Sequence, residues 1–288
     1  MGYTLPTIAN DRLRHLRDGN GNIVVLTGAG ISAESGIPTF RGKDGYWVVG
    51  SKEYHPEEMA THAMFKRNPD TVWAWYLYRR GVCKGARPNA GHYAVVGLER
   101  LFGDRFRLVT QNVDGLHIRA GSSLDRTYQI HGNIDYARCA EECAQQIWPL
   151  SDMLGLEKAR GTSLTAEERS HLRCPRCDGW ARPHVLWFDE CYDEEHFGYE
   201  SSIGAAVSAD VLLVVGTSGA TNLPMQVGQR ALDAGALIID INVESNPFSR
   251  LAESTGGLFL QGPSASVLPS ILKQLQSRGP GGRTTNSA

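Results

Sequence analysis

The stretch Ile23-Val-Val-Leu-Thr-Gly-Ala-Gly-Ile-Ser32 decides the fold class. Its first five residues are apolar or β-branched and predict a short buried strand of a parallel sheet. Gly28-Ala-Gly30 follows directly and leads into a helix predicted over residues 31–35. Glycines at such a turn let the backbone approach a pyrophosphate, whose charge is favoured at a helix N-terminus. Because Ala33 stands where a full dinucleotide fingerprint has glycine, a tight turn that binds no ligand stays open at this point.

Apolar runs of the same kind recur at residues 106–110, 211–215, 237–242 and 258–261. Patterns typical of helices are found at residues 8–18, 89–101 and 223–234. Strands and helices therefore alternate along most of the chain. This order predicts an α/β fold built on a Rossmann-like, doubly wound parallel sheet.

Two segments interrupt the alternation. Residues 43–88 carry two helix patterns, at 56–67 and 69–81, and no predicted strand. Residues 137–182 contain two cysteine pairs and a capping-box pattern that begins at Thr165. We expect both segments to be insertions that pack together as a smaller lobe.

This reasoning predicts a discontinuous sheet domain with two inserted modules. The sheet domain is expected to comprise residues 1–42, 89–136 and 183–276. The helical module is expected at 43–88, the zinc-binding module at 137–182 and a disordered tail at 277–288. The tail assignment follows from its glycine, proline and small polar residues.

Composition limits the function classes. The 288 residues are 41% hydrophobic and 21% charged, as in ordinary globular proteins, and the formal net charge is −2. Without a basic excess, direct nucleic-acid binding is not expected. No apolar run is long enough to span a bilayer and the first twenty residues lack an apolar signal core, which predicts a cytoplasmic protein with no membrane association. The sequence leaves the oligomeric state undetermined.

Four of the six cysteines form two close pairs, Cys139 with Cys143 and Cys174 with Cys177. Paired spacing of this kind is typical of a tetrahedral thiolate site for Zn²⁺. Four protein ligands close the coordination shell, so the site would be structural. The alternative is that these residues are reduced thiols that bind no metal.

Polar residues gather after two further predicted strands. Thr110-Gln-Asn-Val-Asp-Gly-Leu-His117 closes one of them, and His131-Gly-Asn133 follows a strand-like run at 126–130. The carboxyl ends of strands in an open α/β sheet are where ligands bind. An imidazole can take up a proton near neutral pH, so His131 is a candidate general base. The alternative is a structural histidine.

Two more polar turns, Gly216-Thr-Ser218 and Asn242-Val-Glu244, follow the next strands. Their position fits an adenosine and ribose site. Ordinary helix capping by Ser, Thr and Asn is the alternative for each turn alone.

Taken together, these motifs resemble the sirtuins, NAD-dependent protein lysine deacylases, over roughly residues 20–275. The resemblance rests on Gly28–Gly42, Thr110–His117, His131–Asn133, the cysteine pairs and Gly216–Ser218. It implies a large Rossmann-type domain and a small lobe made of a zinc-binding module and a helical module. NAD and an acylated lysine of a protein or peptide would meet between them, giving nicotinamide, O-acyl-ADP-ribose and free lysine.

The resemblance also implies roles for individual residues. His131 would deprotonate a ribose hydroxyl. The cofactor-binding set would be Gly28, Ala29, Gly30, Ser32, Ala33, Phe40, Arg41, Tyr46, Trp47, Gln111, Asn112, Asp114, Gly216, Thr217, Ser218, Asn242, Glu244 and Ser264. The strand at 183–188 would pair with the substrate backbone, with Val185, Trp187 and Phe188 in contact with substrate.

One pair of residues narrows the substrate. Tyr76 and Arg79 lie three apart on a predicted helix and resemble the Tyr-x-x-Arg pair of sirtuins that remove succinyl, malonyl and glutaryl groups. A guanidinium forms forked hydrogen bonds with a carboxylate, to which a phenol adds another. Acetyl removal is also expected of such enzymes. An aromatic helix face packed in a core, with a surface arginine, is the alternative.

Three stretches depart from the family pattern: Asp189 replaces a common glycine, the loop at 219–224 differs, and the insertion at 144–173 is long. Two other functions stay open at this stage. One is ADP-ribosyl transfer, which would add mass to a protein acceptor. The other is a non-catalytic NAD-binding module, which would bind the cofactor without consuming it.

Overall fold

The computed structural model of the chain describes residues 7–39, 47–49 and 52–277, and of residues 8, 9 and 47–49 it describes the backbone alone. The strands are β1 (Ile23–Thr27), β2 (Trp47–Val49), β3 (Lys52–Tyr54), β4 (Phe106–Thr110), β5 (Thr127–Gln129), β6 (Gly132–Cys139), β7 (Ile147–Pro149), β8 (Ala181–Val185), β9 (Val211–Val215), β10 (Leu237–Asn242) and β11 (Leu258–Gln261). The helices are α1 (Thr7–Asp18), α2 (Gly30–Ala33), α3 (Pro56–Met59), α4 (His62–Arg67), α5 (Pro69–Gly85), α6 (Ala90–Phe102), α7 (Leu116–Ala120), α8 (Ala166–Ser170), α9 (Glu194–Phe197), α10 (Tyr199–Val207), α11 (Asn222–Asp233), α12 (Pro247–Ser254) and α13 (Ser264–Gln276).

Within the described residues, six strands form a parallel sheet in the order β11-β10-β9-β1-β4-β5. Successive side chains of a strand point to opposite faces, so each strand contributes to two apolar layers. Val25 and Leu213 pack on the layer that contains α1, α6 and α13. Val24 and Leu212 pack on the layer that contains α10, α11 and α12. The predicted doubly wound α/β fold is confirmed.

The topology marks where a ligand can bind. β1 pairs with β4 on one side and with β9 on the other. The chain first extends the sheet from β1 toward β4 and β5 and later returns to place β9 on the opposite side of β1. The carboxyl ends of β1 and β9 therefore flank a topological switch point, the usual ligand crevice of such sheets.

The two insertions share one apolar core. Trp73 and Leu77 of α5 pack with Leu154 and Leu172 of the second insertion, beside the antiparallel sheet β7-β6-β8. The long insertion also supports α5 through polar contacts, because the buried Arg80 donates to the Leu154 carbonyl. The exact domain limits stay a prediction, and β6 runs across the limit expected at residue 136.

The expectation that residues 43–88 contain no strand is wrong. β2 and β3 pair as an antiparallel hairpin, with Trp47 opposite Tyr54. Strands of three residues are too short to show the alternation by which a strand is recognised. The helix predicted at 56–67 is also divided, because the Thr61 side chain accepts from the Met64 N–H and starts a new helix.

None of the described helices combines the length and the apolar character needed to cross a bilayer.

Candidate active site

The turns after β1 and β9 are in direct contact at the switch point. The Gly28 N–H donates to Val215 O at 2.9 Å, and the Gly30 N–H donates to Gly216 O at 2.8 Å. A Cβ atom on Gly30 would lie 2.7 Å from the Gly216 Cα, and Gly216 has φ +60°. Both glycines are therefore required by the contact between the two turns. The sequence suggested that the absence of a side chain at Gly30 lets the backbone approach a pyrophosphate. In the structure, the group that comes close to Gly30 is the backbone of Gly216.

Ser32, at the start of α2, is the centre of a buried polar network. The Asn89 N–H donates to Nδ1 of His92, so the hydrogen of the neutral imidazole lies on Nε2, which donates to the Ser32 hydroxyl at 3.4 Å. Asn112 Nδ2 donates to the same hydroxyl at 3.2 Å, and Ser32 in turn donates to Asp114 Oδ2 at 2.7 Å. Burial lowers the pKa of His92 to about 4, so the imidazole is neutral at physiological pH. The network therefore leads from a neutral histidine through Ser32 to the Asp114 carboxylate.

Asp114 is almost completely buried at the carboxyl end of β4. Burial raises its pKa, while the Leu116 N–H and the Ser32 hydroxyl, which both donate to the carboxylate, act in the opposite direction. Arg119 links this position to the small lobe, because its guanidinium donates to the carbonyls of Cys83 on α5 (2.6 Å) and of Asp114 (3.1 Å). Helix α5 therefore lies beside the carboxyl edge of the sheet.

A second row of contacts joins the polar turns. Gln111 Nε2 donates to Thr217 Oγ1 at 2.9 Å, and Gln111 Oε1 accepts from Thr221 at 3.0 Å. Asn242 Nδ2 donates to Thr217 O at 2.9 Å. The structure thus brings together residues that follow β4, β9 and β10.

Other residues of the expected cofactor set lie at the margins of this row. Ala33, Ser218 and Glu244 have exposed side chains, and Ala29 is partly exposed. Ser264 is buried, and its hydroxyl donates to Glu34 at 3.1 Å. Phe40, Arg41 and Tyr46 lie outside the described residues, and of Trp47 only the backbone in β2 is described.

His131 lies between β5 and β6, and each of its ring nitrogens has one hydrogen-bond partner. Nδ1 lies 3.0 Å from the Gln111 carbonyl oxygen, which can only accept, so Nδ1 carries the hydrogen. Nε2 of the neutral ring then has its lone pair free to accept, and it lies 2.9 Å from the Tyr192 hydroxyl. Burial lowers the pKa of His131 to about 4, although the hydrogen bond to Gln111 acts in the opposite direction. The ring is therefore neutral at physiological pH and presents an acceptor nitrogen, as a general base must.

Tyr192 was not predicted from the sequence. It lies in the loop between β8 and α9, four residues after the end of the stretch at 183–188 that resembles the substrate-pairing strand. Only the unusual residues just before it, at 188–190, signalled that this loop differs.

The expected acyl-reading pair lies on α5. The indole N–H of Trp187 donates to the Tyr76 hydroxyl oxygen at 2.9 Å, and only 3% of Tyr76 is exposed. Burial raises the pKa of Tyr76 above its ordinary range, and the nearby Arg79 guanidinium opposes the rise. Arg79 itself is partly exposed and lies 5.1 Å from the centroid of the Trp75 ring.

The strand expected at 183–188 lies two to three residues earlier. β8 spans Ala181–Val185 and ends opposite Gly132, the first residue of its partner β6, so residues 186–188 follow the strand. Their N–H groups are used within the chain: Leu186 donates to His131 O, Trp187 to Glu190 Oε2 and Phe188 to Ala60 O. Trp187 is buried, whereas 54% of Phe188 is exposed.

Asp189, which replaces a common glycine of the family pattern, has a structural role. Its carboxylate accepts from the N–H groups of His62 (2.7 Å) and Ala63 (3.0 Å), the first residues of α4. The negative charge thus satisfies free donors at a helix N-terminus. It ties the loop after β8 to the helical module.

The profile of the Sir2 family matches residues 28–222, which is more than half of the chain. The chain belongs to the Sir2 family.

Proteins named NAD-dependent protein deacylase are similar to this Sir2 chain over most of its length. One from Leptospira interrogans is 43% identical over 90% of the chain and 95% of the relative. "NAD-dependent protein deacylase 2" of Pyrobaculum aerophilum is 42% identical over 88% of the chain and 91% of the relative. Among solved structures, a Sir2 homologue in complex with NAD is 30% identical with a TM-score of 0.77, covering 96% of this chain and 95% of that one. A variant Sir2 homologue in complex with 2'-O-acetyl ADP ribose is 31% identical with a TM-score of 0.76, covering 94% and 97%.

The cysteine pairs of this Sir2 chain converge into one cluster. The Sγ atoms of Cys139, Cys143, Cys174 and Cys177 all lie within 4.8 Å of one another. Cys139 and Cys177 are 3.6 Å apart, and Cys143 and Cys174 are 3.5 Å apart. A tetrahedral zinc site with Zn–S bonds of about 2.3 Å needs sulfur separations of about 3.8 Å. The cluster therefore fits Zn²⁺, and its four thiolates leave no open position for a reacting group.

Proposed function

We propose that this Sir2-family enzyme removes acyl groups that end in a carboxylate from lysine side chains, with His131 as its general base. The chain is an NAD-dependent protein deacylase, the activity named for relatives that are more than 40% identical over nearly their whole length. The observation that carries the role of His131 is its neutral ring, in which Nδ1 donates to the Gln111 carbonyl and Nε2 is left as an acceptor.

When bound, NAD would supply an electrophilic ribose carbon, at which the acyl oxygen replaces nicotinamide. It would also supply a ribose hydroxyl, to which the acyl group passes. The residues of the chain would hold the cofactor and the acyl-lysine and remove the proton of the ribose hydroxyl. His131 Nε2 takes the proton of the ribose hydroxyl, while the Gln111 carbonyl keeps the Nδ1 hydrogen in place. The hydroxyl oxygen would bond to the acyl carbon, and one water would be consumed as the bond from that carbon to the lysine nitrogen breaks, so that the products are nicotinamide, O-acyl-ADP-ribose and free lysine. That a Sir2 homologue 31% identical to this chain binds 2'-O-acetyl ADP ribose supports this product.

The cofactor would lie along the linked polar turns. Asn112, Asp114 and Ser32 form a rigid network at the nicotinamide and ribose end, fixed by His92. Thr217 and Asn242 lie at the other end, where Ser218 and Glu244 are exposed to meet the adenosine. Phe40 and Arg41 are proposed as further cofactor contacts from the resemblance alone.

The acyl preference is supported by the surroundings of Tyr76. Since the Trp187 N–H donates to the Tyr76 oxygen, the phenol hydrogen is left to donate to a substrate carboxylate. Arg79 lies one turn further on the same helix and supplies the positive charge. The Arg119 bridge between Cys83 and Asp114 holds this helix against the cofactor end of the crevice. An acyl chain extending from the ribose would thus reach α5.

The Arg79→Met variant tests the preference, with Arg87→Met at the exposed end of the same segment as control. Charge-assisted hydrogen bonds contribute roughly 1.5–3 kcal/mol, so kcat/KM for a succinyl-lysine peptide should fall about 10- to 100-fold. The value for the matching acetyl-lysine peptide should change by less than about threefold. Parallel losses on both peptides would show that Arg79 is structural. Mass spectrometry of the same reactions identifies the product. Mass added to a protein acceptor would show that the chain transfers ADP-ribose and does not remove acyl groups.

A further inference from the structure

Tyr192 occupies the position that a substrate hydroxyl needs. Its hydroxyl lies 2.9 Å from His131 Nε2, and the two rings lie 5.9 Å apart at 31°. Because the His131 hydrogen is on Nδ1, Nε2 accepts and Tyr192 donates. A neutral imidazole nitrogen has one lone pair in the ring plane. The phenol and a ribose hydroxyl therefore compete for the same acceptor.

We propose that Tyr192 is a self-inhibiting occupant of the base: its hydroxyl caps His131 Nε2 in the cofactor-free enzyme, and the cofactor ribose must displace it. The inference rests on the proposed role of His131 in the deacylase reaction. It adds a residue whose contact opposes productive cofactor binding.

The residues on either side of Tyr192 in the loop are held by their own hydrogen bonds. Glu190 is fixed on one side, because its carboxylate accepts from the Arg182 guanidinium and from the Trp187 N–H. Asp193 is fixed on the other side, because it caps α9 by accepting from the His196 N–H at 2.6 Å. Displacement of Tyr192 from His131 would therefore take place by rotation about its own side-chain bonds, with loss of its packing against Tyr199.

The phenol stays a hydrogen-bond donor at neutral pH. Burial raises the pKa of Tyr192 to about 12, so its hydroxyl keeps the hydrogen that it donates to His131 Nε2. While this hydrogen bond is made, the Nε2 lone pair is occupied and cannot accept from a ribose hydroxyl.

The cost of displacement appears in the cofactor affinity. A ligand that binds only the open state has its apparent Kd raised by the reciprocal of the open fraction. One neutral hydrogen bond shifts an equilibrium by roughly two- to twelvefold. Removing the hydroxyl should therefore lower the apparent Kd of NAD by about fivefold.

Tyr192→Phe tests the inference, with Tyr199→Phe as the matched control. The test variant keeps an aromatic ring against Tyr199, while the control removes a hydroxyl that donates to Gln226 and not to His131. NAD binding by calorimetry and steady-state kinetics are measured for the parent and both variants. We expect Tyr192→Phe to lower the Kd and KM for NAD about fivefold without lowering kcat, and the ¹⁵N resonance of His131 Nε2 to move in the cofactor-free protein. The control should change neither.

An unchanged Kd for NAD in Tyr192→Phe would overturn the inference. A fall in kcat would overturn it as well, because Tyr192 would then assist the reaction. Failure of the proposed function has a different signature, namely a parent chain that consumes no NAD with acyl peptides. Even then the binding and NMR measurements decide on Tyr192.

Discussion

At the residue scale, the proposed role of His131 as a base depends on which of its ring nitrogens carries the hydrogen. The sequence predicted the histidine and its neighbours Gln111, Asn112 and Asp114, because they follow predicted strands and match a motif. It could not predict the tautomer, which is set by the Gln111 backbone carbonyl. Nor could it predict Tyr192, because no periodicity or motif relates a loop residue to a histidine 61 positions earlier.

The protonation of His131 gives a prediction at this scale. Burial places its pKa at about 4, below the ordinary 6.5, so the ring should stay neutral as pH falls from 8 to 5 and gain its proton only near 4. NMR titration of the ring nitrogens in the cofactor-free protein measures this, with the resonance assigned by its loss in His131→Asn. A midpoint at 6.5 or above would contradict the burial argument.

At the element scale, five strands of the parallel sheet were predicted to the residue, because each is a mainly apolar run between polar or glycine-containing segments. These strands are β1, β4, β9, β10 and β11. Short elements that depend on distant partners were not predictable. The β2–β3 hairpin was missed, and the strand expected at 183–188 lies at 181–185, because its position is set by its pairing with β6. Asp189 is another such case, since its partner is the N-terminus of α4.

The cysteine cluster gives a prediction at this scale. Cys174→Ser should abolish stoichiometric zinc binding and lower the thermal midpoint of the chain, because the ends of β6 and β8 are held together there. Metal analysis and thermal unfolding measure the two effects. Cys191→Ser, which alters an exposed cysteine outside the cluster, is the control and should keep its zinc. A Cys174→Ser chain that retains one equivalent of zinc would contradict the assignment.

At the scale of the whole molecule, contacts between segments far apart in sequence connect the small lobe to the sheet domain. Arg119 joins α5 to the end of β4, and Asp189 joins the loop after β8 to α4. The sequence indicated two insertions that pack together but gave no strand order and no such bridges. These contacts depend on three-dimensional distance, which local patterns do not encode.

The stability of the molecule should carry the signature of one buried carboxyl. Asp240 is completely buried in β10, accepts from Asn246 at 2.7 Å, and burial raises its pKa to about 7. In the unfolded chain this carboxyl ionises near pH 3.8. The contribution of Asp240 to the free energy of unfolding is therefore fully present below about pH 4 and is lost as the pH rises to about 7. Asp240→Asn should therefore stabilise the protein at pH 8 by at most about 4 kcal/mol, and by little at pH 4. Urea unfolding of both chains at the two pH values measures the difference, and an effect of equal size at both would contradict the argument.

A comparison of the parent chain with His131→Asn, using NAD and a succinyl-lysine peptide, tests most directly whether His131 is the base. We expect the variant to bind NAD no more weakly than the parent, by calorimetry, because the contact between Tyr192 and the imidazole is also lost, and to form almost no O-acyl-ADP-ribose, by mass spectrometry. Product formation by the variant at the parent rate would contradict the assignment of the base.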